Sequence, residues 1–135
     1  LEPTAQALEL LGSEKSLVVH GEDGLDELSP VSPTRVRWAG RDEDEIWRPD
    51  EFLSQALQAE DIAPGQEPSD SAARILEGLS RPDSTAYKAL LPSAATAVSL
   101  SLDLERGEAI ARVRTAVETG AALQVVEVLR EVLPA

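Results

Sequence analysis

The first third of the chain alternates between short apolar runs and polar turns. Residues 3–11 carry apolar side chains at helical spacing and end before Gly12, so a short first helix is predicted. The compact apolar run from Ser16 to His20 then predicts a buried strand. Because this run is apolar on both faces, it is typical of a strand in a parallel sheet.

The next segment predicts a β-hairpin. Residues 34–39 alternate, with Trp38 on an apolar face and arginines on the other face. A polar turn over residues 40–44 leads to a return strand over residues 45–48. A hairpin that is symmetric about this turn would bring Trp38 close to Trp47. Packing between these two side chains is favoured over stacking on a ligand.

The remainder of the chain has helical periodicity. Pro92 lies inside one of the predicted helices and is expected to kink it or to begin a fresh helix. With strands first and helices after, the order of elements predicts an α/β fold. The pattern predicts a short helix over residues 51–58 capped by Asp50, a helix over 72–79 behind a serine cap, and further helices over 86–102, 109–117 and 121–133.

Composition narrows the class of protein. With 135 residues, 42% of them hydrophobic, the chain can build one core, so a single domain is expected. A net charge of −13 argues against a nucleic-acid partner, and the lack of cysteine excludes disulfides and thiolate metal sites. No apolar run is long enough to span a membrane, so a soluble, cytoplasmic protein is expected. The sequence contains no methionine, so we expect it to be part of something longer.

The clearest candidate for chemistry is the acidic loop, defined as residues Gly21 to Glu27, which places four carboxylates after the predicted strand. Ligand sites in open α/β sheets lie beyond the carboxyl ends of strands. Asp26 and Glu27 are adjacent and offer hard oxygen ligands that suit Mg²⁺. Loops of this composition are also common as plain solvated turns, and the spacing alone favours that interpretation. The position of the loop at the end of a strand favours a metal site, and it reduces the preference for a plain solvated turn without removing it.

Other catalytic patterns are missing from the sequence. His20 is the only histidine, and its position at a strand end favours a hydrogen-bonded structural role over catalysis. There is no phosphate-binding Walker loop, no GxGxxG, no HExxH and no GxSxG. The residues alone therefore do not indicate a self-contained enzyme.

The segment from Ser16 to Ser29, SLVVHGEDGLDELS, resembles the signature stretch of anthranilate phosphoribosyltransferases. The resemblance covers nearly all of this chain, but only the C-terminal portion of the family's usual length. It implies that residues 1–135 are the C-terminal portion of a catalytic α/β domain of the phosphoribosyltransferase and nucleoside phosphorylase type, without the N-terminal part. The similarity continues in order through Pro33 to Val36, Pro49 to Phe52, Arg106-Gly107 and Thr119 to Ala121.

The resemblance also implies an activity. Members of the family transfer a phosphoribosyl group from phosphoribosyl pyrophosphate to anthranilate in tryptophan biosynthesis, so the chain is expected to belong to a glycosyltransferase. The family's magnesium-binding Asp-Glu pair corresponds to Asp26 and Glu27, which makes Mg²⁺ the implied cofactor. The diphosphate loop and the anthranilate contacts lie in the family's N-terminal part, so substrate-binding residues are unknown here. This chain alone is expected to be inactive, and the complete enzyme is expected to form a homodimer.

Departures from the family's pattern leave other interpretations open. Ala72-Ala73 stands where the family tends to have Asn-Ala, and Pro92-Ser93 stands where it favours Asn followed by alanines. The chain could therefore belong to a divergent, non-catalytic member that binds a ligand or a partner. A third interpretation is a structural piece whose apolar faces pack on absent helices, which predicts an exposed apolar patch.

Overall fold

The computed structural model describes residues 1–133, in which a three-stranded sheet packs beside helices. The order of strands followed by helices confirms the predicted α/β class. None of the helices in this range combines the length and the apolar character needed to cross a bilayer. In chain order the elements are α1 (Glu2–Leu10), β1 (Leu17–Gly21), β2 (Thr34–Trp38), β3 (Asp44–Trp47), the 3₁₀ turns Pro49–Glu51 and Ala59–Ile62, α2 (Pro68–Ser80), α3 (Thr85–Leu102), α4 (Arg106–Glu118) and α5 (Ala121–Val132).

Strand β1 pairs antiparallel with β2, so the prediction of a parallel sheet is wrong for this pair. The register sets Leu17, at the start of β1, opposite Trp38, at the end of β2. A parallel pairing would need a crossover connection, usually a helix, between the two strands. Residues 22–33 instead fold back as a loop, in which the Glu22 N–H donates to the Pro33 carbonyl oxygen at 2.8 Å. The connection, and not the apolar content of the strand, decides its direction.

The hairpin of β2 and β3 confirms the predicted strands but has a different register. Trp47 lies opposite Thr34, four residues before Trp38, and not opposite Trp38 as a symmetric hairpin would require. The two indole rings nevertheless meet edge to face, with centroids 6.3 Å apart, because both side chains lie on the same face of the sheet. Phe52 extends this cluster, with its ring centroid 6.1 Å from that of Trp47. The predicted packing of the two tryptophans is therefore confirmed.

The helix predicted over residues 51–58, with Asp50 as its cap, does not form. The 3₁₀ turn Pro49–Glu51 stands at its start, and no helix follows it before the second 3₁₀ turn. The Leu57 N–H donates to the carbonyl oxygen of Pro30 at 2.9 Å, so it is unavailable for a helical hydrogen bond. Tertiary pairing with the loop before β2 therefore overrides the local preference for a helix.

The four long helices form close to the predicted ranges. Helix α2 begins behind Glu67 and not behind the predicted serine, and the Asp70 carboxylate accepts the Glu67 N–H at 3.1 Å. Helix α3 begins behind Ser84, whose Oγ accepts a first-turn N–H at 3.0 Å. Helix α3 continues through Pro92, so the predicted start of a fresh helix there is wrong. Pro92 is fully buried, and packing of α3 against α2 and α4 holds the helix continuous.

The core lies where the sheet meets α3 and α4. Val36, Ala95 and Ala109 are completely shielded from solvent, and the two alanines allow the helices to approach closely. Helix α5 contributes no fully buried residue. Val125 is 60% exposed and Val132 is 71% exposed, so α5 carries an exposed apolar patch of the kind predicted from the sequence.

Gly78 marks a close approach of α2 to α3. A Cβ atom at this position would lie 2.8 Å from Leu90 Cδ1 and 3.1 Å from the carbonyl carbon of Ala86. We expect Gly78→Val to lower the free energy of unfolding by about 2 kcal/mol, because overpacking outweighs the gain in helix propensity. Gly107→Val is the matched control, since Gly107 is helical with nothing within 4 Å, and it should change stability by less than about 0.5 kcal/mol. Equal losses for the two variants in urea unfolding would contradict this explanation.

Tyr87 is the only tyrosine of the chain and is 4% exposed. Burial raises the pKa of its phenol above the ordinary value of 10.0. Above that pH the unfolded chain ionises while the folded chain holds the neutral phenol. Stability linked to Tyr87 is therefore intact below pH 10 and is lost as the pH rises towards the folded pKa. We expect tyrosinate absorbance of the 135-residue chain to appear at higher pH when folded than in urea; coincident titrations would refute this.

Candidate functional site

The acidic loop leaves the end of β1 as a closed turn. The Gly21 N–H donates to the Leu25 carbonyl oxygen at 2.8 Å, and the Gly24 N–H donates to the Gly21 carbonyl oxygen at 3.0 Å. Gly24 has a φ of 93°, a conformation that side chains disfavour. A Cβ atom at Gly21 would collide with the Asp23 carboxylate. Gly24 is therefore required by the shape of this turn, whereas a side chain at position 21 would displace the Asp23 carboxylate.

Asp23 maintains the shape of the loop. Its Oδ2 accepts a hydrogen bond from Ser29 Oγ at 2.6 Å, a contact that we call the Ser29–Asp23 tether. Its Oδ1 accepts the Leu25 N–H at 3.3 Å, and its own N–H donates to Ser32 Oγ at 3.2 Å. Since both carboxylate oxygens accept hydrogen bonds, one from the loop and one from Ser29 beyond it, a structural role is favoured for Asp23.

Ser29 is a site residue that sequence reasoning missed. It is 3% exposed, and its Oγ accepts two backbone N–H groups from the following residues, each at 3.0 Å. Its own N–H donates to Thr34 Oγ1 at 2.9 Å, which links the acidic loop to the start of β2. A serine directly before Pro30 is typical of turns in which the hydroxyl bonds nearby backbone. That signal predicts a turn, but it does not identify Asp23 as the partner.

Asp26 and Glu27 are exposed, as Asp23 is, but they differ from Asp23 because their carboxylates are uncommitted. Among residues 1–133, neither carboxylate takes part in a side-chain hydrogen bond or an ion pair. Glu27 lines a cavity of about 370 Å³ between the loop, α2 and α3, whereas Asp26 does not. The structure therefore brings Glu27 to a concave surface and places Asp26 beside it.

The charges around this cavity disfavour a bare anion. Glu27, Asp61 and Glu77 line it, and Arg74 is the single cationic side chain of the lining. The Arg74 guanidinium donates to the carbonyl oxygen of Ala63, which holds it against the chain before α2. Three carboxylates against one guanidinium would repel a diphosphate unless a cation lay between them. A divalent metal ion at Glu27 would meet that requirement.

The donor set is compatible with magnesium. Within the part of the chain that the structure describes, no group of three or more His, Asp or Glu side chains is arranged to hold a metal ion. Mg²⁺ does not require such a group, because it keeps several waters and binds one or two carboxylates together with substrate phosphates. Asp26 and Glu27 supply two adjacent hard oxygen donors that are not used elsewhere. Their assignment as metal ligands stays a prediction.

His20 does not have the structural role predicted for it. Its side chain is exposed and makes no hydrogen bond with any of residues 1–133. Successive residues of a strand point to opposite faces, and Val19 packs against the core. His20 therefore lies on the outer face of β1, opposite Arg35 of β2.

Comparisons with known proteins agree on one family. Residues 1–123 match the family described as "Glycosyl transferase family, a/b domain". The anthranilate phosphoribosyltransferase of Desulfatibacillum aliphaticivorans is 33% identical over 132 residues, which cover 95% of this chain and 38% of that protein. The structure of the Saccharomyces cerevisiae anthranilate phosphoribosyltransferase in complex with 4-fluoroanthranilate is 26% identical, with a TM-score of 0.79, and covers 93% of this chain and 38% of its own. A variant of the same yeast enzyme with Mg bound is 25% identical, with a TM-score of 0.73, over 90% of this chain and 36% of its own.

The chain thus spans little more than a third of the length of these relatives. Its small sheet and following helices correspond to part of their α/β domain, in agreement with the fold expected from the resemblance. The family match extends from α1 to the beginning of α5. The relatives compared above are anthranilate phosphoribosyltransferases, and the chain belongs to the glycosyl transferase family through its α/β domain.

Proposed function

We propose that this chain is the C-terminal portion of the catalytic α/β domain of an anthranilate phosphoribosyltransferase, a cytoplasmic pentosyltransferase. The complete enzyme would transfer the phosphoribosyl group of phosphoribosyl pyrophosphate to anthranilate in tryptophan biosynthesis. The observation that carries the proposal is the pair Asp26 and Glu27, which stay uncommitted on a loop that other residues hold in shape. Family membership supports the reaction class.

Asp26 and Glu27 would hold Mg²⁺, which, when bound, neutralises the negative charge that develops on the departing diphosphate. The Ser29–Asp23 tether fixes the backbone of the acidic loop, so the pair is presented at the end of β1 without rearrangement. The carboxylate of Glu27 also lines the neighbouring cavity, so its negative charge contributes to the electrostatic potential there. The contribution of the chain is thus electrostatic and positional, and no proton transfer is assigned to it.

Two relatives support the proposed ligands. One yeast structure contains 4-fluoroanthranilate, an analogue of the proposed acceptor, and the yeast variant has Mg bound. The relative from Desulfatibacillum aliphaticivorans carries the name of the same activity. Donor, acceptor and metal come to this chain by similarity, and the acidic loop is the local feature that is compatible with the metal.

We expect no transfer by the 135 residues alone, because they span only 36–38% of the length of the relatives compared above. Contacts with anthranilate would be supplied by the remainder of the enzyme. We also expect the complete enzyme to be a homodimer, which analytical ultracentrifugation would measure. Turnover by the isolated chain would refute this division of roles.

The direct test is an assay of the full-length protein with anthranilate and phosphoribosyl pyrophosphate. Consumption of anthranilate and release of diphosphate should occur with magnesium and stop when a chelator removes it. Restoring magnesium should restore both. A protein that folds and binds magnesium but transfers nothing would favour a non-catalytic member of the family.

A further inference from the structure

A second cavity, of about 330 Å³, lies within the helical layer, and we call it the helix cavity. All four long helices contribute to its wall, with Gly78 from α2, Val98 from α3, Val117 from α4 and Ala122 from α5. No residue of the acidic loop lines it, and Leu90 alone is shared with the cavity beside Glu27. The helix cavity is therefore distinct from the site proposed for the metal ion.

The wall of the helix cavity presents apolar surface that a ligand can reach. Leu79, Leu90, Val98 and Val113 are only half-buried, and Leu102 is 54% exposed. Side chains in a close-packed helical layer normally fill a space of this size. Because these side chains do not fill it, an apolar group that entered the cavity would be removed from water together with the wall.

One charged residue, Arg112 of α4, contributes to the lining. Nearly all of the lining surface is apolar, so Arg112 adds its hydrocarbon stem to the wall while its exposed guanidinium stays in water. The guanidinium forms no hydrogen bond or ion pair with any of residues 1–133. Its donors are therefore available to a ligand.

The acids of α4 are already engaged. Glu108, one turn before Arg112, accepts the Glu105 N–H at 3.2 Å and so caps the start of the helix. Glu118, near the end of the helix, pairs with Arg114 at 2.8 Å. Arg112 is thus left as an unpaired cation beside an apolar cavity.

We propose that the helix cavity binds a medium-chain aliphatic carboxylate, with its chain between the helices and its head group beside Arg112. Apolar walls favour the chain, and a guanidinium can donate two parallel hydrogen bonds to a carboxylate. The volume lies near the lower end of the range for small-molecule sites, which suits a short chain. The proposal does not depend on the transfer reaction, because the cavity is formed without the acidic loop.

Octanoate is the probe, titrated below its micelle concentration into the full-length protein by isothermal titration calorimetry. We expect saturable binding at one site per chain. Hexanoate, which has two fewer methylene groups, should bind about 15-fold more weakly, because each buried methylene contributes about fourfold in affinity. Octylammonium should also bind more weakly than octanoate, since its charge is opposite.

Ala116→Leu tests the position of the chain. Ala116 lines the cavity, so the larger side chain should fill part of it and raise the Kd for octanoate at least tenfold. Ala94→Leu, on the α3 wall, is a second variant of the same kind. Ala97→Leu is the matched control, because Ala97 is exposed on α3 outside the lining, and it should leave the Kd unchanged. Circular dichroism shows which variants remain folded.

Arg112→Gln tests the position of the head group. It should raise the Kd for octanoate about threefold, as expected for an exposed ion pair, and leave the Kd for octan-1-ol unchanged. Arg35→Gln, at an exposed arginine of β2 outside the lining, should change neither value. A titration that does not saturate, equal effects of Ala116→Leu and Ala97→Leu, or equal effects of Arg112→Gln on octanoate and octan-1-ol would overturn the proposal.

Discussion

Replacing Asp26 with Asn and Glu27 with Gln together is expected to lower kcat/KM of the full-length enzyme by about 10³-fold, or about 4 kcal/mol of transition-state stabilisation. The amides keep the size of both side chains but remove the charges that would hold Mg²⁺. Each single variant should retain more activity and require more magnesium for half-maximal rate. Initial rates across a magnesium titration measure both effects.

Glu22→Gln is the matched control for the loss of charge. Glu22 is an exposed carboxylate of the same loop and is outside the proposed pair. Its variant should keep kcat/KM within about threefold, because one surface charge contributes little at this range. All variants should unfold at the same urea concentration as the parent. Equal activity of the double variant and the parent across the magnesium titration would end the assignment of Asp26 and Glu27.

Phe52→Ala is expected to lower the free energy of unfolding by about 3–5 kcal/mol, a large effect for a single substitution. Phe52 is 7% exposed, and its ring packs at 6.1 Å from that of Trp47. The Arg106 guanidinium lies 4.8 Å from the centre of the Phe52 ring, so the substitution also removes a cation–π contact. Urea unfolding followed by circular dichroism measures the loss.

Ile46→Ala, on the hairpin against which Phe52 packs, provides the comparison. Ile46 is 45% exposed, so its truncation leaves no sealed cavity and should lower stability by less than about 1 kcal/mol. Phe52→Leu should fall between the two, since most of the apolar volume remains. A loss for Phe52→Ala no larger than that for Ile46→Ala would mean that the aromatic cluster does not support the hairpin.

Local patterns predict the elements whose signals lie within a few residues. Gly12 ends α1, the alternation around Val36 identifies β2, and the periodic apolar positions identify the long helices. Helices α3 and α4 and strand β2 form close to the predicted ranges because each buries an apolar face against the core, whereas α5 forms with its apolar face largely exposed. The acidic loop is also visible in the sequence, since its glycines and carboxylates are consecutive.

Features that depend on distant partners are not predicted. The direction of β1 depends on how residues 22–33 fold, and the missing helix after Asp50 depends on the hydrogen bond between Leu57 and Pro30. Pro92 is tolerated because neighbouring helices bury it. In the acidic loop, composition cannot separate the structural Asp23 from the uncommitted acids, because the tether from Ser29 comes from beyond the loop.

The acidic loop is closed by its own hydrogen bonds before any ligand arrives. Binding of a metal ion by Asp26 and Glu27 therefore costs little conformational entropy of the backbone. The association rate should then be set by how quickly the ion loses its coordinated water. Ser29→Ala would leave the two acids intact and yet allow the segment to sample many shapes. The metal would then bind more slowly and more weakly although both carboxylates are unchanged. The loss would come from disorder of the backbone and not from a change in the ligating groups.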